Sequence, residues 1–118
     1  MATDNNNVII YDKSGKVLDS WGSEFPGAHG LTIAGEGSDQ FLLLTDPDTH
    51  KVHKTSLDGQ LIMTLDRPKE VAGYTSDEQF KPTETAVMPN GDFYVADGYG
   101  ENYIIHYNAQ GDYLNHFG

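Results

Sequence analysis

The stretch PTETAVMPNGDFYVAD, from Pro82 to Asp97, decides the fold of this 118-residue chain. It places a short apolar run before a Met-Pro-Asn-Gly turn and a second alternating run after it, which predicts two antiparallel strands joined by a tight connection. A stretch of the same shape, HGLTIAGEGSDQFLLLTD, runs from His29 to Asp46. Two such stretches in one short chain indicate an internal repeat.

A second kind of strand pair follows each of these stretches and also opens the chain. The segments Val8–Leu18, Lys51–Ile62 and Tyr103–Leu114 each read as strand, polar turn ending in glycine, and strand. The turn glycines are residues 15, 59 and 111, which lie 44 and 52 residues apart. Two strands followed by two strands make a four-stranded unit of about 40 residues, which is typical of a β-propeller blade.

The predicted organisation is therefore an all-β propeller segment of four-stranded antiparallel blades. Residues 1–22 form the outer half of a blade, with Thr3-Asp4 as the end of its second strand. Residues 29–66 and 80–118 form whole blades, and residues 67–79 form an inter-blade loop or short helical turn. Because closed propellers have about 4–8 blades, this length is too short to close a ring alone, and we expect self-association, for example as a dimer.

Composition excludes several classes of function. The chain has no cysteine, so it has no disulfide, thiolate zinc site or cysteine nucleophile. Eighteen acidic against seven basic residues give a formal net charge of −11, which argues against nucleic-acid and anionic-membrane partners. The sequence shows no signal peptide and no apolar run of membrane-spanning length, which leaves the compartment open.

The motifs resemble NHL repeats and, more narrowly, the lyase domain of peptidylglycine α-amidating enzymes. The strings that carry this resemblance are FKPTETAV at 80–87, ADGY at 96–99, AHGLTI at 28–33, Thr45-Asp46 and His50-Lys51-Val52. The resemblance implies a six-bladed propeller that holds zinc on three histidines. It also implies cleavage of a peptidyl-α-hydroxyglycine into a peptide amide and glyoxylate.

Carried over residue by residue, the resemblance makes His29 a zinc ligand and Tyr99 the catalytic tyrosine. It makes Leu31 the residue whose backbone carbonyl helps to bind a structural calcium. The other two zinc histidines and a catalytic arginine fall outside this chain, and Gly100 stands where animal members have a disulfide cysteine.

Position alone leaves other interpretations open. His29 at a strand start is equally a histidine that is hydrogen-bonded to backbone, and Tyr99 equally an aromatic packed between blades. His50 and His53 should point to opposite faces, His106 and His116 should be exposed, and Asp46 and Asp97 suit turn chemistry. Two further functions remain: a non-catalytic NHL module that binds peptide or protein, and a propeller like the calcium-dependent sugar-lactone hydrolases.

Overall fold

The chain folds into three antiparallel sheets in the computed structural model, which describes residues 6–118. The first sheet has two strands and the others have four each, and the strands are paired in chain order. Their bounds are β1 Val8–Tyr11, β2 Val17–Trp21, β3 Leu31–Ala34, β4 Phe41–Asp46, β5 Lys51–Thr55, β6 Leu61–Leu65, β7 Glu84–Val87, β8 Phe93–Ala96, β9 Ile104–Tyr107 and β10 Tyr113–Phe117. The all-β fold is confirmed. The strand end predicted at Thr3-Asp4 lies outside the described residues.

The three outer hairpins close in the same way. In each turn a backbone N–H donates to the carbonyl four residues later at 2.9 Å, and the turn glycine has a φ close to +90°. A polar side chain at the first turn position also accepts backbone N–H bonds within the turn. The closing residues are Asp12, Ser56 and Asn108 with the glycines Gly15, Gly59 and Gly111. The repeat read from the sequence is therefore a repeat of turn chemistry as well.

The main core lies between the two four-stranded sheets. Phe93 and Val95 in β8 are buried while Tyr94 and Ala96 are only partly buried, which is the period-two pattern of a strand with one face on a core. The buried side chains of this core are Leu43, Val52, Val71, Tyr74, Phe80, Phe93, Val95, Ile105 and Tyr107. A smaller cluster of Val8, Phe25 and Leu44 joins the two-stranded sheet to the second sheet.

The segment between the two four-stranded sheets contributes to this core. It has no regular structure beyond a single 3₁₀ turn, Asp77–Gln79, with a capping box between Ser76 and Gln79. Even so, Val71 is fully buried and Tyr74 is 4% exposed. The sequence does not reveal that this segment supplies buried side chains.

The innermost strand of the second sheet is open on one face. Leu31 and Ile33 in β3 are 50% and 60% exposed. Beside them lies an apolar cavity of about 270 Å³ that Ile9, Leu42 and Leu57 also line. Among the described residues, no helix is long and apolar enough to cross a membrane.

Candidate functional site

His29 lies just before β3, at the inner edge of the second sheet. Its backbone N–H donates to the Thr45 carbonyl at 2.8 Å. This bond fixes the His29 backbone against β4, although β3 itself begins at Leu31. The next residue must be small, because a Cβ on Gly30 would overlap the Thr83 carbonyl and the Thr45 hydroxyl. Gly30 therefore lets the start of β3 approach the third sheet, and this approach brings His29 to residues of the other blade.

Both nitrogens of the His29 ring have partners from the third sheet and its loops. Nδ1 lies 3.1 Å from the carbonyl oxygen of Thr83, and Nε2 lies 3.0 Å from the Tyr99 hydroxyl. Because a carbonyl can only accept, Nδ1 carries the proton. In the neutral ring Nε2 is then an acceptor, and Tyr99 donates to it.

Tyr99 lies in the connection between β8 and β9. Its side chain is 63% exposed, and its ring meets that of His29 edge-on, with centroids 5.1 Å apart and an interplanar angle of 88°. Its N–H points to the Lys81 carbonyl at 3.4 Å. The two sequence-predicted side chains, 70 residues apart in the chain, are therefore in direct contact. Tyr99 thus contacts a residue of the neighbouring blade while most of its surface stays exposed, and the hydrogen bond of His29 to backbone is present.

Leu31 is the third residue that the resemblance singles out. The Gly30 carbonyl accepts from the Thr45 N–H at 3.0 Å. Since successive carbonyls of a strand point to opposite sides, the Leu31 carbonyl is directed away from β4, toward the open side of β3. The next residue along β3 makes a contact to the other blade, because the Thr32 hydroxyl donates to the Thr85 carbonyl at 3.0 Å and links β3 to β7.

The buried carboxylates of Asp46 and Asp97 have the turn role that the sequence predicts. Asp46 accepts from the backbone N–H groups of Gly27, Asp48 and Thr49 at 3.0–3.2 Å. Asp97 accepts from those of Lys81 and Glu101 at 2.7 and 2.8 Å. Each thereby fixes the connection that follows the second strand of its blade.

The remaining histidines have other partners. His50 pairs with the Phe80 carbonyl at 2.9 Å, while His53 lies against the Phe25 ring with its Nδ1 3.2 Å from the Thr64 hydroxyl. The expectation that His106 and His116 are exposed is wrong, since both are partly buried. His106 stacks on Tyr94 and pairs with Asp92 at 3.0 Å, because β9 lies inside the sheet between β8 and β10. Residues 6–118 hold no group of three or more side chains that would suit a metal ion.

Gly100 directly follows Tyr99 in the connection between β8 and β9. A Cβ at this position would overlap the Asp97 carboxylate and the Gln79 carbonyl. The backbone of Gly100 is therefore packed directly against the buried carboxylate.

Sequence reasoning missed the Thr83 carbonyl and the surroundings of Asp97. Backbone acceptors leave no signal in residue type, and the only trace of Thr83 is its place in the Lys-Pro-Thr string.

Comparison with known proteins places these motifs among two groups of relatives. The chain is 35% identical over 111 residues to a probable peptidyl-α-hydroxyglycine α-amidating lyase of Caenorhabditis elegans, covering 93% of this chain and 31% of that protein. It is 37% identical to amidating lyase 1 of Drosophila melanogaster, over 89% of this chain and 19% of that protein. It is 29% identical to mouse NHL repeat-containing protein 3, over 79% and 28%.

The chain thus spans less than a third of the length of these relatives. No family model matches it. The sequence similarity and the sheets of two, four and four strands agree with each other. The chain is a partial NHL-type β-propeller of about two and a half blades, and its relatives include the peptidyl-α-hydroxyglycine α-amidating lyases.

Proposed function

We propose that this chain is the part of an amidating-lyase-like propeller that supplies one zinc ligand, His29, and the catalytic tyrosine, Tyr99. The observation that carries the proposal is the 3.0 Å contact between the two side chains, which come from different blades. The reaction is the cleavage of a peptidyl-α-hydroxyglycine, the substrate that the names of the relatives state for those proteins.

The His29 ring suits a metal ligand. Histidines that bind metals commonly donate their other ring N–H to a carbonyl or carboxylate, which fixes the tautomer. The Nδ1–H of His29 donates to the Thr83 carbonyl in this way, which leaves the Nε2 lone pair as the ligand. Catalytic zinc sites use three protein ligands, so His29 is one member of a set whose other members lie elsewhere in the assembled propeller. Zinc bound there would polarise the substrate hydroxyl and lower its pKa.

Tyr99 suits the proton transfer. In this cleavage the hydroxyl of the substrate loses its proton, a C=O bond forms, the C–N bond breaks and the amide nitrogen gains a proton. A phenol that donates its Oη proton to the amide nitrogen and receives the proton of the substrate hydroxyl in its place balances these changes. Tyr99 can turn from Nε2 toward a substrate while Thr83 still holds the imidazole, since Tyr99 is mostly exposed and on a connection.

The Leu31 carbonyl is the proposed calcium contact. Its direction toward the open side of β3 supports the proposal, because Ca²⁺ takes backbone carbonyls among its oxygen ligands. Six to eight oxygens are needed, so this carbonyl is one contributor among several.

Release of glyoxylate from a peptidyl-α-hydroxyglycine tests the function. We expect zinc-dependent release by the unaltered chain in its assembled form. Loss of about a hundredfold or more is expected in Tyr99→Phe, the usual scale for removing an acid–base group, and His29→Ala should lose the zinc-dependent release because it removes a ligand. Tyr11→Phe is the matched control, because Tyr11 is also an exposed tyrosine, at 57%, and lies in β1. Full activity in His29→Ala, or none in the unaltered assembly, contradicts the proposal.

A second function has one observation in its favour. A single imidazole with an exposed tyrosine and an open apolar face also suits a non-catalytic NHL module that binds peptide or protein, and one relative is named only for its NHL repeats. This function is favoured if the chain binds peptide without a metal and releases no glyoxylate.

A further inference from the structure

A buried tyrosine and a buried aspartate meet beneath the Tyr99 connection. Tyr74 is 4% exposed and comes from the irregular segment between the blades, while Asp97 is fully buried at the end of β8. The Tyr74 hydroxyl donates to Asp97 Oδ2. The same carboxylate accepts from the N–H groups of Lys81 and Glu101, so three separate parts of the chain converge on one side chain.

The hydrogen bonds to Asp97 hold the backbone segments next to both His29 partners, Thr83 and Tyr99. Lys81 lies two residues before Thr83, whose carbonyl receives the His29 ring. The Lys81 carbonyl also accepts from the Tyr99 N–H, and Glu101 lies two residues beyond Tyr99. The carboxylate of Asp97 therefore holds the connection on each side of Tyr99 together with the segment that orients His29.

In the described part of the chain, the second sheet lacks the hydrogen bond that Tyr74 makes to the aspartate of the third sheet. Asp46 occupies the equivalent place at the end of β4, and within residues 6–118 its hydrogen-bond donors are three backbone N–H groups and no side chain. Its connection is short, since β5 begins at Lys51, whereas the connection after β8 runs to Ile104. The fold of a blade does not require the tyrosine hydroxyl, and the longer connection is the one that carries Tyr99.

We propose that Tyr74 and Asp97 are positioning residues for Tyr99, so that the inter-blade segment fixes where the phenol meets His29. Their catalytic meaning depends on the proposed function, but the geometry can be tested without it. Tyr74 is suited to a permanent donor role. Burial, and then its bond to Asp97, raises the pKa of Tyr74 far above the ordinary tyrosine value, so the hydroxyl keeps its proton.

The test compares Tyr74→Phe with Tyr107→Phe. Each substitution removes one hydroxyl from a tyrosine that is 3–4% exposed in the same core, but among the described residues the Tyr107 hydroxyl has no hydrogen-bond partner. The readouts are amide hydrogen exchange at Lys81 and Glu101 and the ring-to-ring nuclear Overhauser contact between His29 and Tyr99. A purely structural role would not single out these sites.

In Tyr74→Phe we expect exchange at Lys81 and Glu101 to be faster by about tenfold or more, the scale of one lost hydrogen bond to a charged group. The contact between the His29 and Tyr99 rings should weaken, while Val52 in β5 changes no more than in Tyr107→Phe. Equal acceleration in both blades, or no difference between the two variants, overturns the proposal.

A measurement on the unaltered chain serves if Tyr74→Phe does not fold. The Lys81 and Glu101 amides should then exchange as slowly as the amides of β8, and fast exchange at either one overturns the proposal. The result also separates the two hypotheses. If Tyr74→Phe loosens the contact while the unaltered assembly releases no glyoxylate, the positioning role stands and the proposed function is rejected.

Discussion

At the scale of single residues, the site depends on atoms that carry no signature in residue type. The motif strings predict His29 and Tyr99, and the structure brings their rings into contact. The Thr83 carbonyl, which determines the tautomer of His29, could not be predicted. Any residue in that place offers the same backbone oxygen, and only the close approach permitted at Gly30 brings it within reach.

His53 gives a pH-dependent prediction at the same scale. It is 7% exposed, and burial lowers its pKa below the ordinary 6.5, with the charge of Asp46 acting in the opposite direction. The unfolded chain therefore binds the His53 proton first as the pH falls. Stability from this group is fully present above 6.5 and is lost on acidification toward the lower folded-state pKa.

His53→Gln should therefore flatten part of the dependence of unfolding free energy on pH. Urea unfolding of both proteins at about pH 7.5 and about pH 5.5 measures it. An equal loss of stability on acidification in the two proteins would show that His53 is not responsible.

At the scale of elements, the strands follow directly from the sequence and the inter-blade segment does not. Alternation and turn glycines predict every outer hairpin, since period-two burial and a positive φ leave clear patterns. Residues 67–79 have neither pattern, yet Val71 and Tyr74 are buried there. Their burial depends on the shape of the gap between two sheets, which no local periodicity encodes.

Phe80 directly follows this segment and meets the ring of Tyr74 edge-on, so it tests the core that the segment joins. It is fully buried in the core between the blades, so Phe80→Ala should cost about 3–5 kcal/mol of unfolding free energy. Phe117→Ala, at a 58% exposed position in β10, is the matched control and should cost far less. Denaturant unfolding of the two variants measures these losses, and equal losses would mean that the packing around Phe80 is not part of the cooperative core.

At the scale of the whole molecule, the exposed apolar faces of the sheets determine whether the chain associates. Leu31 and Ile33 are exposed on the innermost strand of the second sheet, and within residues 6–118 β1 pairs only with β2. Exposed apolar faces and free strand edges favour association. The number of blades can be predicted from the sequence repeats. The partner surface that covers these exposed faces cannot, because it is not part of a single chain.

The predicted consequence is self-association. Light scattering should give a mass of at least twice the 13.0 kDa of one chain. Leu31→Ser with Ile33→Ser should shift the distribution toward single chains. A mass of one chain that also melts cooperatively would contradict self-association.

The central claim is that the His29 imidazole is a zinc ligand, oriented by the neighbouring blade and paired with the tyrosine of that blade. The ¹⁵N NMR spectrum of the histidine rings during zinc titration tests this claim most directly. The account predicts that His29 is the Nδ1–H tautomer, as its bond to the Thr83 carbonyl requires. Its Nε2 resonance should be the first among the five histidines to shift as zinc is added, and Tyr99→Phe should leave the tautomer unchanged. An Nε2–H tautomer, or zinc shifts at other histidines while His29 stays constant, would contradict it.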